Sequence, residues 1–139
     1  MYNVKKTFEI FPVGIVHKQD SLAEIEIYSE FTPALLGLEA FSHIIVLYWF
    51  HENDTPKKRS TLRVHPRKNA KNPLTGVFGT HAPVRPNLIA MSVCKILAVT
   101  FDRIRVEAID AFDQSPVIDI KGFFPDTEPV PDFKLPDWA

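Results

Sequence analysis

One cysteine, Cys94, stands in a chain of 139 residues. That excludes a disulfide framework and thiolate zinc motifs, and it suits a reducing, cytoplasmic setting. Long apolar runs are missing too. No stretch approaches the roughly 20 residues that span a bilayer as a helix, so no membrane partner is expected. The opening MYNVKKTFEIF has two lysines but no apolar segment or small-residue cleavage site, and is not read as a signal peptide. There is no Gly-x-Ser-x-Gly elbow, no Walker glycine loop and no Gly-x-Gly-x-x-Gly fingerprint. The histidines (His17, His43, His51, His65, His81) are scattered, without His-x-x-x-His spacing, so no metal is expected. The last absence is of one charge sign: from Thr55 to Phe101 there is no aspartate or glutamate.

That acid-free block holds nine bases: Lys57, Lys58, Arg59, Arg63, Arg67, Lys68, Lys71, Arg85 and Lys95. From Asp102 onward nine acids face four bases. A segregated basic block is the electrostatic footprint of an anionic partner, nucleic acid being the commonest. The plainer reading is a set of solvated loop charges. Composition is otherwise globular, with 45% hydrophobic and 24% charged residues, and the length fits one domain. We read residues 1–125 as that domain and residues 126–139 as a proline-rich tail extended over the surface.

Short strands dominate the pattern. TFEIFPVGIVH and AEIEIY read as a hairpin. TPALLGLEAF reads as one or two helical turns, with Thr32 as N-cap and Pro33 at the first helical position. SHIIVLYWF, continuous and apolar, reads as a fully buried central strand. TLRVHP and GVFGT flank a basic loop, MSVCKILAVTFDRIRVEAI makes two strands turned at Phe101 to Arg103, and PVIDIKGFF makes the last. Seven or eight short strands with little helix predict a mainly β fold, a barrel or a sandwich.

Three clusters carry chemistry. In GVFGTHAPVRPNLIAMS, Gly76 and Gly79 permit close backbone approach, while Pro83 and Pro86 fix φ. The result is a stiff loop presenting Thr80, His81, Arg85 and Asn87 with little entropy left to lose on binding. Arg85 offers a planar fork for a carboxylate or phosphate, or it pairs with a core acid. In AIDAFDQSPVIDIKGFF, Asp110 and Asp113 are turn-formers or site carboxylates. Strand alternation there puts Val117, Asp119 and Lys121 on one face, Asp119 and Lys121 forming an exposed pair or lining a barrel mouth. In LEAFSHIIVLYWFHE, His43 reads as a hydrogen-bonded core histidine before a catalytic one, while His51 and Glu52 face solvent.

In order, these pieces resemble the TrmO family of S-adenosylmethionine-dependent tRNA methyltransferases. FPVGIV, LRVHPR, GVFGTHAPVRPNLIAMSV and DAFDQSPVIDIKGFFP carry the resemblance, which spans most of residues 8 to 125. It implies a single-sheeted β-barrel of about seven short strands with one or two short helices, assembled as a homodimer. It implies S-adenosylmethionine as cofactor and, as the reaction, N6-methylation of threonylcarbamoyladenosine beside the tRNA anticodon. Phe78, Thr80, His81, Arg85, Pro86, Asn87 and Ser115 then fall at cofactor-binding positions. Arg63, Arg67 and Lys121 fall at substrate-binding ones, and Asp110 or Asp113 is the carboxylate able to take a proton. His81 and Ala82 stand where the family has arginine and serine, and HKQDSL replaces a longer loop. A same-fold methyltransferase acting on a small anionic metabolite, or a non-catalytic S-adenosylmethionine- or RNA-binding module, therefore remain alternatives.

Overall fold

The computed structural model describes residues 6–125 and 130–139. Eight strands form in chain order: β1 Gly14–Gln19, β2 Leu22–Ile27, β3 His43–Trp49, β4 Arg63–Val64, β5 Thr75–Gly76, β6 Ile89–Val99, β7 Arg103–Val106 and β8 Pro116–Gly122. Six of them close an antiparallel barrel in the order β1-β2-β7-β6-β3-β8, while β4 and β5 pair separately. The mainly β, single-sheeted barrel that the family resemblance implies is thus the fold, closed by six strands with β4 and β5 set aside. Closure removes the free edges that an open sheet would expose.

Each barrel strand turns alternate residues inward. Val16, Ile25, Ile44, Val46, Ile104, Val106 and Val117 are fully buried or nearly so and make the core. β3 corrects the expectation of a strand buried on both faces. Ile44, Val46 and Tyr48 point in, while Ile45, Leu47 and Trp49 stay half-buried on the outer wall. The β1–β2 hairpin turns through Asp20 and Ser21, Asp20 taking the left-handed φ of 54° that aspartate tolerates. Closure is narrow: only Gly14 and Ile15 pair with Val117 and Pro116. A side chain at Gly14 would strike the Glu26 carbonyl oxygen, so only glycine lets β1 and β2 meet there.

Three local expectations fail for identifiable reasons. Thr7 to Val13 is not strand. The Val13 N–H still donates to the Val117 carbonyl (2.8 Å), but Pro12 has no N–H to continue and the closed barrel leaves no edge for it. Thr32 caps no helix. A 3-10 segment, Ser29–Leu35, already contains it and Pro33, and its hydroxyl donates back to the Ser29 carbonyl (3.1 Å). The same Thr-Pro pair works at Thr55 and Pro56, where Thr55 Oγ1 accepts from the Lys58 N–H (3.2 Å) and starts the single-turn helix α1, Pro56–Arg59. Finally, Val117 does not share a face with Asp119 and Lys121. The register along β3 jumps from Asp119 to Val117, a bulge that leaves Val117 in the core and the pair outside.

Residues 130–139 are largely exposed, and Trp138 accepts from Arg67 Nε through its carbonyl (3.1 Å). Residues 126–129 of the expected extended tail lie outside the described residues, as do residues 1–5 of the opening segment.

Candidate functional site

The stretch from Gly76 to Leu88 carries no regular strand beyond its first residue, yet hydrogen bonds fix nearly every turn of it. Val77 N–H donates to the Leu62 carbonyl (2.9 Å), and Val77–Gly79 makes a 3-10 turn. Buried Thr80 ties the next bend: its hydroxyl donates to the Val77 carbonyl (2.9 Å) and accepts from the Ala82 N–H (3.1 Å). Arg85 Nη1 donates to the carbonyls of Thr80 (3.1 Å) and Ala82 (3.2 Å). The outer side of the loop is tied to the segment after β3. Asn53 Nδ2 donates to Pro83 (3.1 Å), Arg59 Nε to Pro86 (2.9 Å), and Phe50 N–H to Leu88 (2.8 Å). With fully buried Leu88 as its plug, the loop is as rigid as the proline spacing predicts.

What it presents is an aromatic ring, an imidazole and an amide. Phe78 is 82% exposed, and His81 and Asn87 are exposed beside it. Arg85 meets no core acid. It braces the loop through Nη1 alone, so the rest of its fork remains available among the described residues. His51 corrects the expectation that it faces solvent: it is half-buried, and its Nδ1 is enclosed without a hydrogen-bond partner. His43 is hydrogen-bonded as expected, to the Ser42 hydroxyl (2.8 Å), and lies edge-on to Phe123, but it is not a core histidine: it stands in the outer-wall phase of β3 with Ile45, Leu47 and Trp49.

β6 rises directly from this loop, and Ser92 lies on it about 10 Å beyond Ile89. Ser92, Val93, Ala108, Ile109 and Asp110 line an open depression of about 360 Å³. Beneath it the Tyr48 hydroxyl lies 3.3 Å from Ser92 Oγ. Burial pushes the phenol above its ordinary range, and the Asp110 charge adds to the effect against the Ser92 hydrogen bond. Sequence reading passed over both hydroxyls. The available signal was a polar group in the inward phase: Tyr48 after Ile44 and Val46, and Ser92 between Ala90 and Cys94.

A second, larger groove of about 650 Å³ is lined by His17, Lys18, Gln19, Leu22, Glu24, Arg105, Asp113 and Gln114. Size does not make it the better site, because its charges already answer one another. His17 Nε2 lies 2.7 Å from Glu26, Arg105 lies 3.2 Å from Glu24, and Arg103 bridges Glu24 and Glu26 at 3.4 and 3.6 Å. The His17 hydrogen bond holds the Glu26 carboxyl below its ordinary value against a small desolvation, with Arg103 assisting. Asp113 belongs to this groove, accepting the Lys18 N–H at 2.8 Å. Lys18 Nζ staples the same loop by donating to Ile109 (2.7 Å) and Ala111 (3.1 Å). Ser115 is buried with its hydroxyl on the Phe112 carbonyl (2.7 Å). Lys121 pairs with Asp119 (3.2 Å) on the outer wall. Arg63 and Arg67 are exposed in the lobe of β4 and β5. The structure therefore gathers Thr80, Arg85, Pro86 and the exposed Phe78, His81 and Asn87 in one loop. Asp110 stands at the depression beyond it, while Asp113 and Lys121 are engaged elsewhere. Among the described residues no three His, Cys, Asp or Glu side chains gather as a metal would need, and no helix is long and apolar enough to cross a membrane.

The chain folds as a small, closed antiparallel β-barrel domain with a braced, acid-free loop at the root of one strand. The chain belongs to the TrmO family: the model of the tRNA-methyltransferase O N-terminal domain matches residues 4–128. It is 44% identical over 112 residues to a probable S-adenosyl-L-methionine-binding protein of Methanocaldococcus jannaschii, covering 81% of this chain and 89% of that one. A counterpart in Pyrococcus horikoshii is 45% identical over 118 residues, 85% of this chain and 84% of its own. The crystal structure of TrmO from Pseudomonas aeruginosa superposes with a TM-score of 0.70 at 26% identity, over 93% of this chain. This chain spans 62% of that protein's length.

Proposed function

We propose that this protein is an S-adenosylmethionine-dependent methyltransferase acting on tRNA, with N6 of threonylcarbamoyladenosine beside the anticodon as acceptor. Family membership and the names of its archaeal relatives support the cofactor. The observation that carries the reading to particular residues is the braced loop. Phe78 offers a ring face for an adenine, Asn87 an unengaged amide, and Arg85 the free part of a guanidinium fork for the methionyl carboxylate. Enclosed His51 Nδ1, lacking any partner, is one further polar atom in this region that a ligand or water would satisfy. Bound there, the sulfonium supplies a methyl group for in-line displacement, and the protein's work is alignment and charge placement. Asp110, whose carboxylate has no hydrogen-bond partner among the described residues, suits the proton-accepting role better than engaged Asp113. Arg63 and Arg67, with Lys57, Lys58, Lys68 and Lys71, suit phosphates, and a splayed anticodon-loop base suits a pocket with an aromatic rim.

Calorimetry with S-adenosylmethionine tests the loop. Arg85→Ala is expected to weaken binding at least about tenfold, roughly 1.4 kcal/mol, and unchanged affinity in a folded variant moves the site elsewhere. A second reading, a binding module without catalysis, is favoured by the relatives' names, which state binding alone. Methyl transfer to bulk tRNA separates the two. The single buried thiol suits a cytoplasmic protein. A homodimer is supported by the outer wall, where Trp49, Leu47 and Ile45 pair with Ile89, Met91 and Val93 and the last three are 45–60% exposed. A monomeric mass in sedimentation at micromolar concentration overturns that assembly.

A further inference from the structure

Two hydroxyls stand inside the barrel where their neighbours in phase are apolar or small. Tyr48, 4% exposed, points inward with Ile44 and Val46, and Ser92 points inward from β6 between Ala90 and Cys94. Phenylalanine and alanine would fill the same space without the desolvation that buried hydroxyls cost. The pair lies 3.3 Å apart, and Ser92 reaches the open depression that Asp110 borders from the loop between β7 and β8. If Tyr48 donates to Ser92 Oγ, the Ser92 proton is directed outward into the depression. Burial, with the nearby Asp110 charge adding to it, opposes ionisation of the phenol, so Tyr48 keeps a proton to donate.

The depression therefore offers a hydroxyl that can donate, backed by a second, beside a carboxylate that can only accept. A ligand edge with the matching pattern carries a C=O and an N–H side by side. We infer that Ser92 and Asp110 are catalytic residues that grip the amide-like N–H/C=O edge of the methyl acceptor, a ureido group on a nucleobase, and that Tyr48 is the positioning residue that aims the Ser92 proton. This rests on the methyltransferase reading above. Ser92 donates to the ureido oxygen, drawing electron density from the nitrogen and acidifying its N–H, and Asp110 accepts that proton. The nitrogen forms its bond to the methyl carbon as the carbon–sulfur bond breaks. The electron pair leaves with sulfur, so the sulfonium becomes a neutral thioether.

The test uses the full chain and the variants Tyr48→Phe, Ser92→Ala and Asp110→Asn, with folding checked by circular dichroism. Two readouts are needed. One is the rate of methyl transfer from labelled S-adenosylmethionine to bulk tRNA. The other is the ring NMR signal of Tyr48, assigned as the one of the chain's three tyrosine signals that persists in both Tyr2→Phe and Tyr28→Phe. That signal is followed as threonylcarbamoyladenosine nucleoside is added with S-adenosylhomocysteine present. Ser92→Ala is expected to lower kcat roughly 10²-fold and Tyr48→Phe roughly tenfold, the KM for the cofactor unchanged in both. The nucleoside should shift the Tyr48 signal in the parent protein but not in Ser92→Ala, which carries the test if Tyr48→Phe fails to fold. Methyl transfer with kcat preserved in both variants overturns the inference and leaves the methyltransferase reading standing. A Tyr48 shift without methyl transfer supports recognition of the edge and overturns the catalytic reading. Neither shift nor transfer overturns both.

Discussion

Asp110 and Asp113 lie three residues apart in one loop and resemble each other in everything a sequence records. Their surroundings differ. Asp113 accepts the Lys18 N–H and faces a groove whose acids and bases are already paired, whereas Asp110 borders a depression and makes no side-chain hydrogen bond or ion pair among the described residues. Asp113 closes a loop onto β1, and Asp110 keeps its lone pairs free. The lesson is that a larger, more charged groove is a weaker candidate than a small one whose carboxylate is unengaged.

The largest expected effect exchanges these two carboxylates one at a time. Asp110→Asn should lower methyl transfer roughly 10²-fold or more with its melting temperature unchanged, while Asp113→Asn should leave the rate within about threefold of the parent. A reversed pattern breaks the comparison.

Next comes the row of β6 that carries Ser92 to the depression and Cys94 into the core. Burial pushes the Cys94 thiol from 9.0 up to about 11. A raised folded value means the full contribution is present below pH 9 and is lost as pH climbs through about 11. Cys94→Ala should remove that alkaline loss, which approaches about 2.7 kcal/mol above the folded value. Chemical denaturation between pH 8 and 11.5 measures it, and rapid thiol labelling at pH 8 in the folded state would mean the row is open throughout.

A third test contrasts bases that meet no carboxylate among the described residues with bases held in ion pairs. If tRNA is bound, reversing Lys57 and Lys58 to glutamate should flatten the log–log salt dependence of anticodon stem-loop affinity by about 1.4, two contacts of about 0.7 each. Reversing Arg105, held by Glu24 (3.2 Å), should leave the slope unchanged. Filter binding over a salt series reads both.

The smallest effect concerns Asp113 itself. The Lys18 backbone hydrogen bond holds its carboxyl below the ordinary 3.8, with Gln114 and His17 assisting against slight desolvation. A depressed value contributes stability above the ordinary one and loses it as pH falls through the folded one. Asp113→Ala should therefore lower the melting temperature by roughly a few degrees at pH 7 and by less near pH 3, read by thermal scans at both.

Much of the fold was legible because it is local. Alternation in AEIEIY and PVIDIKGFF and the β-branched, aromatic run SHIIVLYWF mark strands, and the turn at Phe101 to Arg103 lies between two such runs. The rigid loop was legible for the same reason: proline and glycine act on their own φ angles. Misreadings arose where the surrounding structure decided the outcome. The Thr-Pro signal starts a helix at Thr55 and not at Thr32, because Ser29 to Leu35 is already wound when Thr32 is reached. Tyr48, Ser92 and Asp110 come from three separate elements, and no spacing along the chain relates them.

The sequence by itself determined the punctuation: where the strands and turns fall, a stiff loop, an acid-free block and a single thiol. Each follows from a residue's own stereochemistry, polarity or charge. Only the tertiary structure decided that six strands close, that a bulge beside Leu47 moves Val117 into the core, and which aspartate stays free. The physical reason is reach. The Lys18 N–H that engages Asp113 lies 95 residues away along the chain, and closing the barrel is what brings it there.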